Sequence, residues 1–220
     1  MKIAEIFYSV QGEGILLGVP SVFIRASGCN LRCRWCDTPY TSWSPEGKEI
    51  AVPDIIKQAR SFGASHAVVT GGEPMLFDEA IELTQGLGMH VTVETAGTVY
   101  KPVKCDLMSI SPKLANSTPE GSFQAQHERL RHQPDVLRRL MADYEYQLKF
   151  VVAAEQDLSE ICRMAGELGA DRNRVLLMPE GTNPEVLRER GAWVAEMCKK
   201  EGFRYTPRLH IDLWGNRRGV

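Results

Sequence analysis

Short runs of β-branched and aromatic residues alternate along the chain with longer segments of helical periodicity. The short runs predict strands at residues 21–26, 66–70, 90–94, 106–111, 147–152, 174–178 and 204–210. Helices are predicted at residues 53–62, 78–87, 135–144, 158–168 and 184–201, the last two ended by Gly169 and Gly202. Asn183 followed by Pro184 is a typical helix start. This alternation indicates an α/β fold, with a parallel sheet or a partial β/α barrel.

One polar segment, residues 116–133, departs from the alternation. It contains Pro119 and Gly121, so we expect its first part to be a long surface loop. Basic residues in and after this segment are interleaved with acidic ones, which favours a solvated face over a binding surface. They are Arg129, Arg131, Arg138 and Arg139.

Polar motifs follow the ends of several predicted strands. In parallel β/α folds ligands bind at the carboxyl ends of the strands, so the coincidence predicts one shared site. The motifs are Gly28-Cys29, residues 70–74, residues 94–97, residues 111–113, residues 178–180 and His210.

Composition narrows the class of protein. The 220 residues are 43% hydrophobic and 25% charged, as in a globular protein, and we expect a single domain over residues 1–220. A net charge of −2 makes nucleic acid an unexpected partner. No apolar run is long enough to cross a membrane, and the first residues are too polar for a signal peptide. We therefore expect a cytoplasmic protein without a membrane partner.

Three of the six cysteines, Cys29, Cys33 and Cys36, form a C-x3-C-x2-C motif. A loop this short can bring three thiolates to one inorganic centre. No nearby cysteine or histidine completes the set of four ligands that structural zinc needs. A [4Fe–4S] cluster held by three thiolates keeps one iron open for a catalytic ligand. Arg32 and Arg34 are expected to lower the pKa of the thiols.

This motif, with Trp35 before its last cysteine, resembles the signature of the radical S-adenosylmethionine (radical SAM) superfamily. Gly-Gly-Glu-Pro at residues 71–74 resembles the second motif of that superfamily. The resemblance implies a partial, modified (β/α) barrel with a [4Fe–4S] cluster and S-adenosylmethionine at its open iron. Main-chain carbonyls of the glycine turn, or Glu73, could accept from the ammonium group of that cofactor.

Further motifs resemble the 7-carboxy-7-deazaguanine synthase family over most of the chain, at residues 7–14, 18–25, 37–38, 70–74, 94–97, 111–113 and 178–180. That family converts 6-carboxy-5,6,7,8-tetrahydropterin to 7-carboxy-7-deazaguanine with loss of ammonia, in the biosynthesis of the precursor of queuosine and archaeosine. The resemblance implies a carbon–nitrogen lyase with a [4Fe–4S] cluster, S-adenosylmethionine and Mg²⁺. It also implies a homodimer and an electron donor such as flavodoxin or ferredoxin.

The resemblance assigns the site residue by residue, with no catalytic residue beyond the cluster and the radical. The cluster ligands are the three cysteines, and Thr38 matches the magnesium ligand. Cofactor-binding positions are Trp35, Cys36, Asp37, Gly72, Glu73, Ser111, Pro112, Lys113, Met178, Pro179 and Glu180. Substrate positions are Val10, Gln11, Gly12, Glu13, Arg25, Thr70 and His210.

Side-chain chemistry agrees with several of these assignments. Gln11 and Glu13 suit the amide and amino edge of a pterin, since a carboxamide and a carboxylate can pair with it. Arg25 ends an apolar strand and needs an anion, which is either the substrate carboxylate or an internal acid. Lys113 could bind S-adenosylmethionine or lie on the surface.

Two other functions stay open on the sequence. A glycyl-radical activating enzyme shares the cysteine motif but needs a large protein partner, and a structural zinc module would bind a protein or RNA. The C-terminal sequence after residue 207 departs from the family pattern. Trp214, Arg217 and Arg218 are therefore candidates for contacts that family members make with their tails.

Overall fold

The fold is organised around one open sheet, which the computed structural model describes over all residues 1–220. Nine strands form it in the order β3-β1-β2-β4-β5-β6-β7-β8-β9. They are β1 (Lys2–Val10), β2 (Pro20–Ala26), β3 (Lys48–Glu49), β4 (His66–Gly71), β5 (His90–Thr95), β6 (Leu107–Ile110), β7 (Tyr146–Val152), β8 (Val175–Pro179) and β9 (Arg204–Tyr205). From β2 to β9 every pairing is parallel, whereas β1 is antiparallel to both neighbours. Because β3 and β9 do not pair with each other, the expected partial barrel is confirmed.

Helices connect most of the parallel strands, whereas β5 and β6 are joined by a loop without a helix. The helices are α1 (Pro39–Ser42), α2 (Val52–Ser61), α3 (Glu79–Gly86), α4 (Gln124–Arg131), α5 (Pro134–Asp143), α6 (Asp157–Leu168), α7 (Pro184–Glu201) and α8 (Leu209–Trp214). The five predicted helices are confirmed to within about two residues. At α7 the Asn183 side chain accepts from the amide of Glu185 at 2.8 Å, and Gly202 ends the helix with a φ of 69°.

The main core lies between the sheet and these helices. Ile24, Val69 and Phe150 of the sheet are fully buried, and so are Leu83 of α3 and Ile161 of α6. The inner parallel strands, such as β4 and β8, are buried on both faces, which explains their continuous apolar runs. No helix is long and apolar enough to cross a membrane.

The structure differs from the prediction at both ends of the chain. β1 was not predicted, because most of its side chains are half-buried and the alternation of a one-faced strand is absent. The strand predicted at residues 204–210 is wrong beyond Tyr205. Pro207 has no amide hydrogen with which to continue the ladder, and α8 begins at Leu209. His210 therefore lies in the first turn of a helix.

The polar segment also differs from expectation. Its first part is a loop, but α4 follows, and His127 on α4 is only 1% exposed. The prediction of a solvated basic face is wrong for Arg131, which pairs with Glu128 at 2.8 Å and with Glu160 at 2.8 Å. Its side chain is 13% exposed, whereas that of Arg139 is 62% exposed.

Candidate active site

A cavity of about 510 Å³ lies inside the open barrel. Residues at the carboxyl ends of four parallel strands line it, so the predicted shared edge is confirmed for these strands, whereas His210 lies on α8 instead. The strand-end residues include Cys29 after β2, Gly72 after β4, Ala96 after β5 and Ser111 after β6. The opposite wall is formed by β1, α1 and the last residues of the chain.

The floor of the cavity comes from the other end of the barrel. Val10 ends β1 opposite Pro20, at the edge where the parallel strands begin. From there residues 11–18 turn beneath the cavity. The amide of Gly14 donates to Oγ1 of Thr206 at 2.7 Å, and the amide of Ile15 donates to Oε1 of Gln147 at 2.8 Å. The segment that carries Gln11 and Glu13 is therefore an inner floor.

The three motif cysteines all line the cavity, and none is in a disulfide. The amide of Leu31 donates to Sγ of Cys29 at 3.4 Å, and Oγ of Ser42 lies 3.2 Å from Sγ of Cys36. Such contacts to sulfur are typical of iron–sulfur sites. No three His, Cys, Asp or Glu side chains converge where a single metal ion could bind. The three cysteines therefore do not form a site for one zinc ion.

The expected effect of the two loop arginines on the thiols is wrong. Burial raises the pKa of Cys29 to about 11 and that of Cys33 to about 12. Nη1 of Arg32 donates to the carbonyls of Cys29 and Leu31, both at 2.7 Å, and Arg34 is exposed. Metal binding itself must therefore remove these protons.

An ion-pair network, largely buried except at Asp37, crosses the floor. Glu13 pairs with Lys149 of β7 and with Nε of Arg208 at 3.2 Å, and Arg208 also pairs with Asp37. Nη1 of Arg208 donates to the carbonyl of Gly181 at 2.7 Å. Burial alone would raise the pKa of Glu13, but Lys149 and Arg208 hold it far below its usual value. Glu13 is therefore a permanently ionised acceptor.

A second carboxylate, that of Glu94, faces the same space. Nε2 of Gln11 donates to it at 3.1 Å, and Oγ1 of Thr70 donates to it at 2.8 Å. The Gln11 oxygen in turn accepts from the amide of Glu13 at 3.3 Å, and Gln11 is 4% exposed. Gln11 and Thr70 therefore orient an acid that the sequence-based site did not include.

Arg25 forms an ion pair with another residue of the protein. Its Nε donates to Glu5 at 2.7 Å, and the hydroxyl of Tyr40 donates to the same carboxylate at 2.7 Å. The guanidinium lies over the ring of Phe7 and also lines the cavity. The alternative of an internal ion pair is confirmed, and the rest of the guanidinium remains available to a ligand.

Seven of the eleven predicted cofactor positions line the cavity: Trp35, Cys36, Asp37, Gly72, Ser111, Lys113 and Met178. Nζ of Lys113 donates to Oγ of Ser111 at 2.9 Å and lies 5.7 Å from the ring centre of Trp35. Lys113 is therefore part of the cavity wall, and the alternative of an unattached surface lysine is wrong.

Glu73 does not line the cavity, against the expectation that it could meet the cofactor. It is fully buried, and its carboxylate accepts from the amides of Met75 and Ala96 and from the hydroxyl of Thr95. These bonds tie the glycine turn to the end of β5. The residues of this turn that line the cavity are Gly71 and Gly72.

The other three predicted cofactor positions also lie outside the lining. Pro112 and Pro179 are buried, and Arg190 of α7 binds the carboxylate of Glu180. Nη1 of Arg190 also donates to the Glu180 carbonyl at 2.6 Å. Glu180 is therefore turned toward the helix rather than toward the cavity.

The predicted substrate positions Val10, Gln11, Gly12, Glu13, Arg25, Thr70 and His210 all line the cavity, as does Thr38. His210 packs directly on Gly12, where an added Cβ would lie 2.1 Å from the imidazole Nδ1. Burial lowers the pKa of His210, so its ring is neutral near pH 7.

The C-terminal tail also reaches the cavity, through residues 216–220. Arg218 pairs with Glu46 at 2.9 Å and with Glu5 at 3.4 Å, and its guanidinium lies 3.9 Å from the ring centre of Tyr40. Arg217 lines the cavity as well, whereas Trp214 does not.

Sequence reasoning missed four charged residues that line the cavity, namely Glu5, Glu94, Lys149 and Arg208. Glu94 belongs to the strand-end motif at residues 94–97, and Lys149 is a lone charge inside an apolar strand, so the sequence did point to both residues. It did not point to Arg208, because that segment was predicted as a strand.

Comparison with known proteins agrees with this geometry. Residues 23–154 match the family model of the Radical SAM superfamily. A protein from Halobacterium salinarum named 7-carboxy-7-deazaguanine synthase is 45% identical, over 98% of this chain and 91% of its own length. A relative of the same name from Rhodopirellula baltica is 42% identical, over 100% of this chain and 89% of its own length.

Solved structures give the same result. The crystal structure of QueE from Escherichia coli has a TM-score of 0.70 at 27% identity, covering 95% of this chain and 94% of that one. SuiB from Streptococcus suis, at 15% identity and a TM-score of 0.59, shares the fold over 87% of this chain and 49% of its own. The chain belongs to the 7-carboxy-7-deazaguanine synthase family of the radical SAM superfamily.

Proposed function

We propose that this chain converts 6-carboxy-5,6,7,8-tetrahydropterin to 7-carboxy-7-deazaguanine with loss of ammonia, as a radical SAM carbon–nitrogen lyase. The reaction belongs to the biosynthesis of the 7-deazaguanine precursor of queuosine and archaeosine. The observation that carries this proposal is one cavity with a three-cysteine loop at its rim and two oriented carboxylates inside. Neither a zinc module nor a glycyl-radical activating enzyme accounts for those carboxylates.

The rim suits the two cofactors of the superfamily. Cys29, Cys33 and Cys36 would hold the [4Fe–4S] cluster, which leaves one iron for S-adenosylmethionine. When bound, these groups supply a 5′-deoxyadenosyl radical that takes a hydrogen atom from the substrate. Gly72 and Lys113 line the cavity and would bind the polar ends of S-adenosylmethionine.

The floor suits a pterin. The amide and amino edge of a pterin presents N–H donors, which ionised carboxylates accept. Glu13 and Glu94 supply those acceptors, and neutral His210 can bind the ring from the side of Gly12. Arg25 remains the cation for the substrate carboxylate.

Magnesium is the third proposed cofactor, with Thr38 as its protein ligand. Thr38 lines the cavity between Cys36 and α1, and the carboxylate of Asp37 faces the same space. Mg²⁺ prefers hard oxygen ligands and keeps water and substrate oxygens. A chelator should therefore lower turnover, and Thr38→Val should remove the stimulation by added Mg²⁺ while Thr38→Ser retains it.

The assembly and setting are also proposals. A homodimer and an electron donor such as flavodoxin or ferredoxin are expected from the family. Thiolates that hold a cluster must stay out of disulfides, which calls for a reducing compartment such as the cytoplasm.

An anaerobic assay tests the function. Enzyme with a full cluster is mixed with the tetrahydropterin, S-adenosylmethionine, Mg²⁺ and reductant, and 7-carboxy-7-deazaguanine is measured. Its formation is the expected result, and its absence despite a full cluster would contradict the substrate assignment. Release of 5′-deoxyadenosine only with a protein substrate would support a glycyl-radical activating enzyme, and a colourless zinc protein would support a structural module.

A further inference from the structure

Residues 114–131 hold the loop that carries the three cysteines. The amide of Arg34 donates to the carbonyl of Ser117 at 2.9 Å. The indole Nε1 of Trp35 donates to the carbonyl of Asn116 at 3.0 Å and to its side-chain oxygen at 3.2 Å. These contacts engage the residues between the cysteines, so the sulfur atoms can face the cavity.

His127, which is 1% exposed, makes a further contact with this loop. The amide of Arg32 donates to its Nδ1 at 3.1 Å, so that nitrogen carries no hydrogen. Its Nε2 lies 2.9 Å from Oγ of Ser117, which itself donates to the carbonyl of Leu114 at 2.6 Å. Only an imidazole with its hydrogen on Nε2 satisfies all three bonds.

The holding segment is itself anchored to the barrel. Nδ2 of Asn116 donates to the carbonyl of Val151 at 3.1 Å and to Asp157 at 2.8 Å. The amide of Ala115 donates to Glu160 at 2.9 Å, and Arg131 binds the same carboxylate. The cysteine loop is thereby fixed to β7 and α6 through a second segment of chain.

We propose that His127 is a positioning residue for the cluster, acting through the amide of Arg32. The proposal rests on the cluster chemistry of the proposed function and deepens it. A rigid loop matters because three thiolates must be kept at fixed positions while one iron exchanges its ligand. The cysteines would bind the cluster, and His127 would hold their loop in the conformation that lets them do so.

Two isosteric variants separate this role from simple packing. His127→Asn places an oxygen near the position of Nδ1 and can still accept from Arg32. His127→Gln places its amide near the position of Nε2 and can bind Ser117 only. His132→Asn is the matched control, since His132 pairs with Glu167 near the surface.

The experiment measures release of cluster iron to a chelator from the anaerobic, reconstituted full-length enzyme. We expect His127→Gln to lose iron about tenfold faster than the unsubstituted protein, as for the loss of one buried hydrogen bond. His127→Asn and the His132 control should lose it at nearly the unsubstituted rate. The electron paramagnetic resonance spectrum of the reduced cluster should change only in His127→Gln.

Equal iron release from the two His127 variants would overturn the proposal, because packing alone would then explain the residue. Thermal unfolding of the cluster-free variants shows whether either one has lost its fold. If one has, the rates of iron release from Ser117→Ala and Ser117→Thr are compared instead. The iron and sulfide contents of the variants are measured in the absence of the pterin. A cluster-bearing enzyme that fails to convert the pterin would therefore contradict the proposed function and leave this inference standing.

Discussion

Nε of Arg208 donates to Oε1 of Glu13 across 3.2 Å, although 195 positions separate the two residues in the chain. The same guanidinium binds Asp37, the residue that follows the last motif cysteine. One buried cation therefore joins the floor of the cavity to its cluster loop. The side chain of Arg208 is only 7% exposed, so water screens this pairing weakly.

Replacement of Arg208 should damage both stability and substrate binding. Arg208→Gln leaves two carboxylates facing each other without the cation between them, at a cost of about 3 kcal/mol in the free energy of unfolding. We expect the KM for the pterin to rise more than the KM for S-adenosylmethionine. Urea unfolding and steady-state kinetics measure the two effects.

Arg174→Gln is the control for that experiment, because Arg174 pairs with Glu145 on an exposed surface. We expect a change below about 1 kcal/mol and unaltered KM values. If the two variants behave alike, the network across the floor has no special role.

Much of the fold was predictable because the parallel strands and their helices are long and regularly patterned. Asn183 and Gly202 marked the ends of α7 correctly. β1 escaped prediction because its half-buried side chains do not alternate, and residues 204–210 did so because they owe their structure to distant contacts. The amide of Leu209, for example, donates to the carbonyl of Gly12 at 2.9 Å. Such contacts leave no local periodicity in the sequence.

The two glycines Gly72 and Gly12 should respond differently to alanine. A Cβ on Gly72 would lie 2.3 Å from the carbonyl oxygen of Gly28, so backbone must move beside the first motif cysteine. We expect Gly72→Ala to lose S-adenosylmethionine binding, measured by equilibrium titration of the anaerobic enzyme.

A Cβ on Gly12 meets only the side chain of His210, which can rotate away. Gly12→Ala should therefore retain the cluster and S-adenosylmethionine binding but raise the KM for the pterin. Loss of the cluster in Gly12→Ala would contradict the separation of floor and rim.

Acid should destabilise the protein partly through His66. Burial, with His90 beside it, lowers the pKa of His66 from 6.5 to about 4. Between these values the unfolded chain binds the proton and the folded chain does not, so stability falls as pH decreases from 6.5 toward 4. We expect this group to contribute on the order of 2 kcal/mol across that window.

Urea unfolding of the cluster-free protein at pH 7 and pH 5 measures that contribution. His66→Gln should show a smaller loss between the two values than the unsubstituted chain. Burial also lowers the pKa of His127 and His210, so a residual slope of the same sign should remain. An unchanged slope in His66→Gln would disprove the assignment.

The C-terminal tail should affect binding more than stability. Arg218 is 45% exposed on its side chain, so its pairs with Glu5 and Glu46 contribute less than about 1 kcal/mol. Arg218→Ala should nevertheless raise the KM for the pterin, because residues 216–220 form part of the cavity wall. Added salt should weaken binding in the unsubstituted enzyme and have less effect on the variant. An unchanged KM would show that the tail is dispensable.

The parts of the site that could be predicted are those whose residues lie close together in the sequence, in short motifs. The three cysteines and Gly72 could be located because their spacing is local. Arg208 could not, since its role depends on which loops the fold brings beside it. Glu73 was misplaced for a related reason, because its hydrogen bonds to β5 are invisible in the sequence.

The contacts of the inner floor indicate the order in which the two parts of the cavity form. Residues 11–14 are synthesised well before their partners Thr206, Arg208 and His210, since 195 positions separate Glu13 from Arg208. Contacts of such long sequence separation form late, since a large loop must close before they are made. The rim, by contrast, is held by residues 114–131. The cysteine loop can therefore take shape once residues 114–131 are present, whereas the floor of the cavity is incomplete until residues 206–210 have been added.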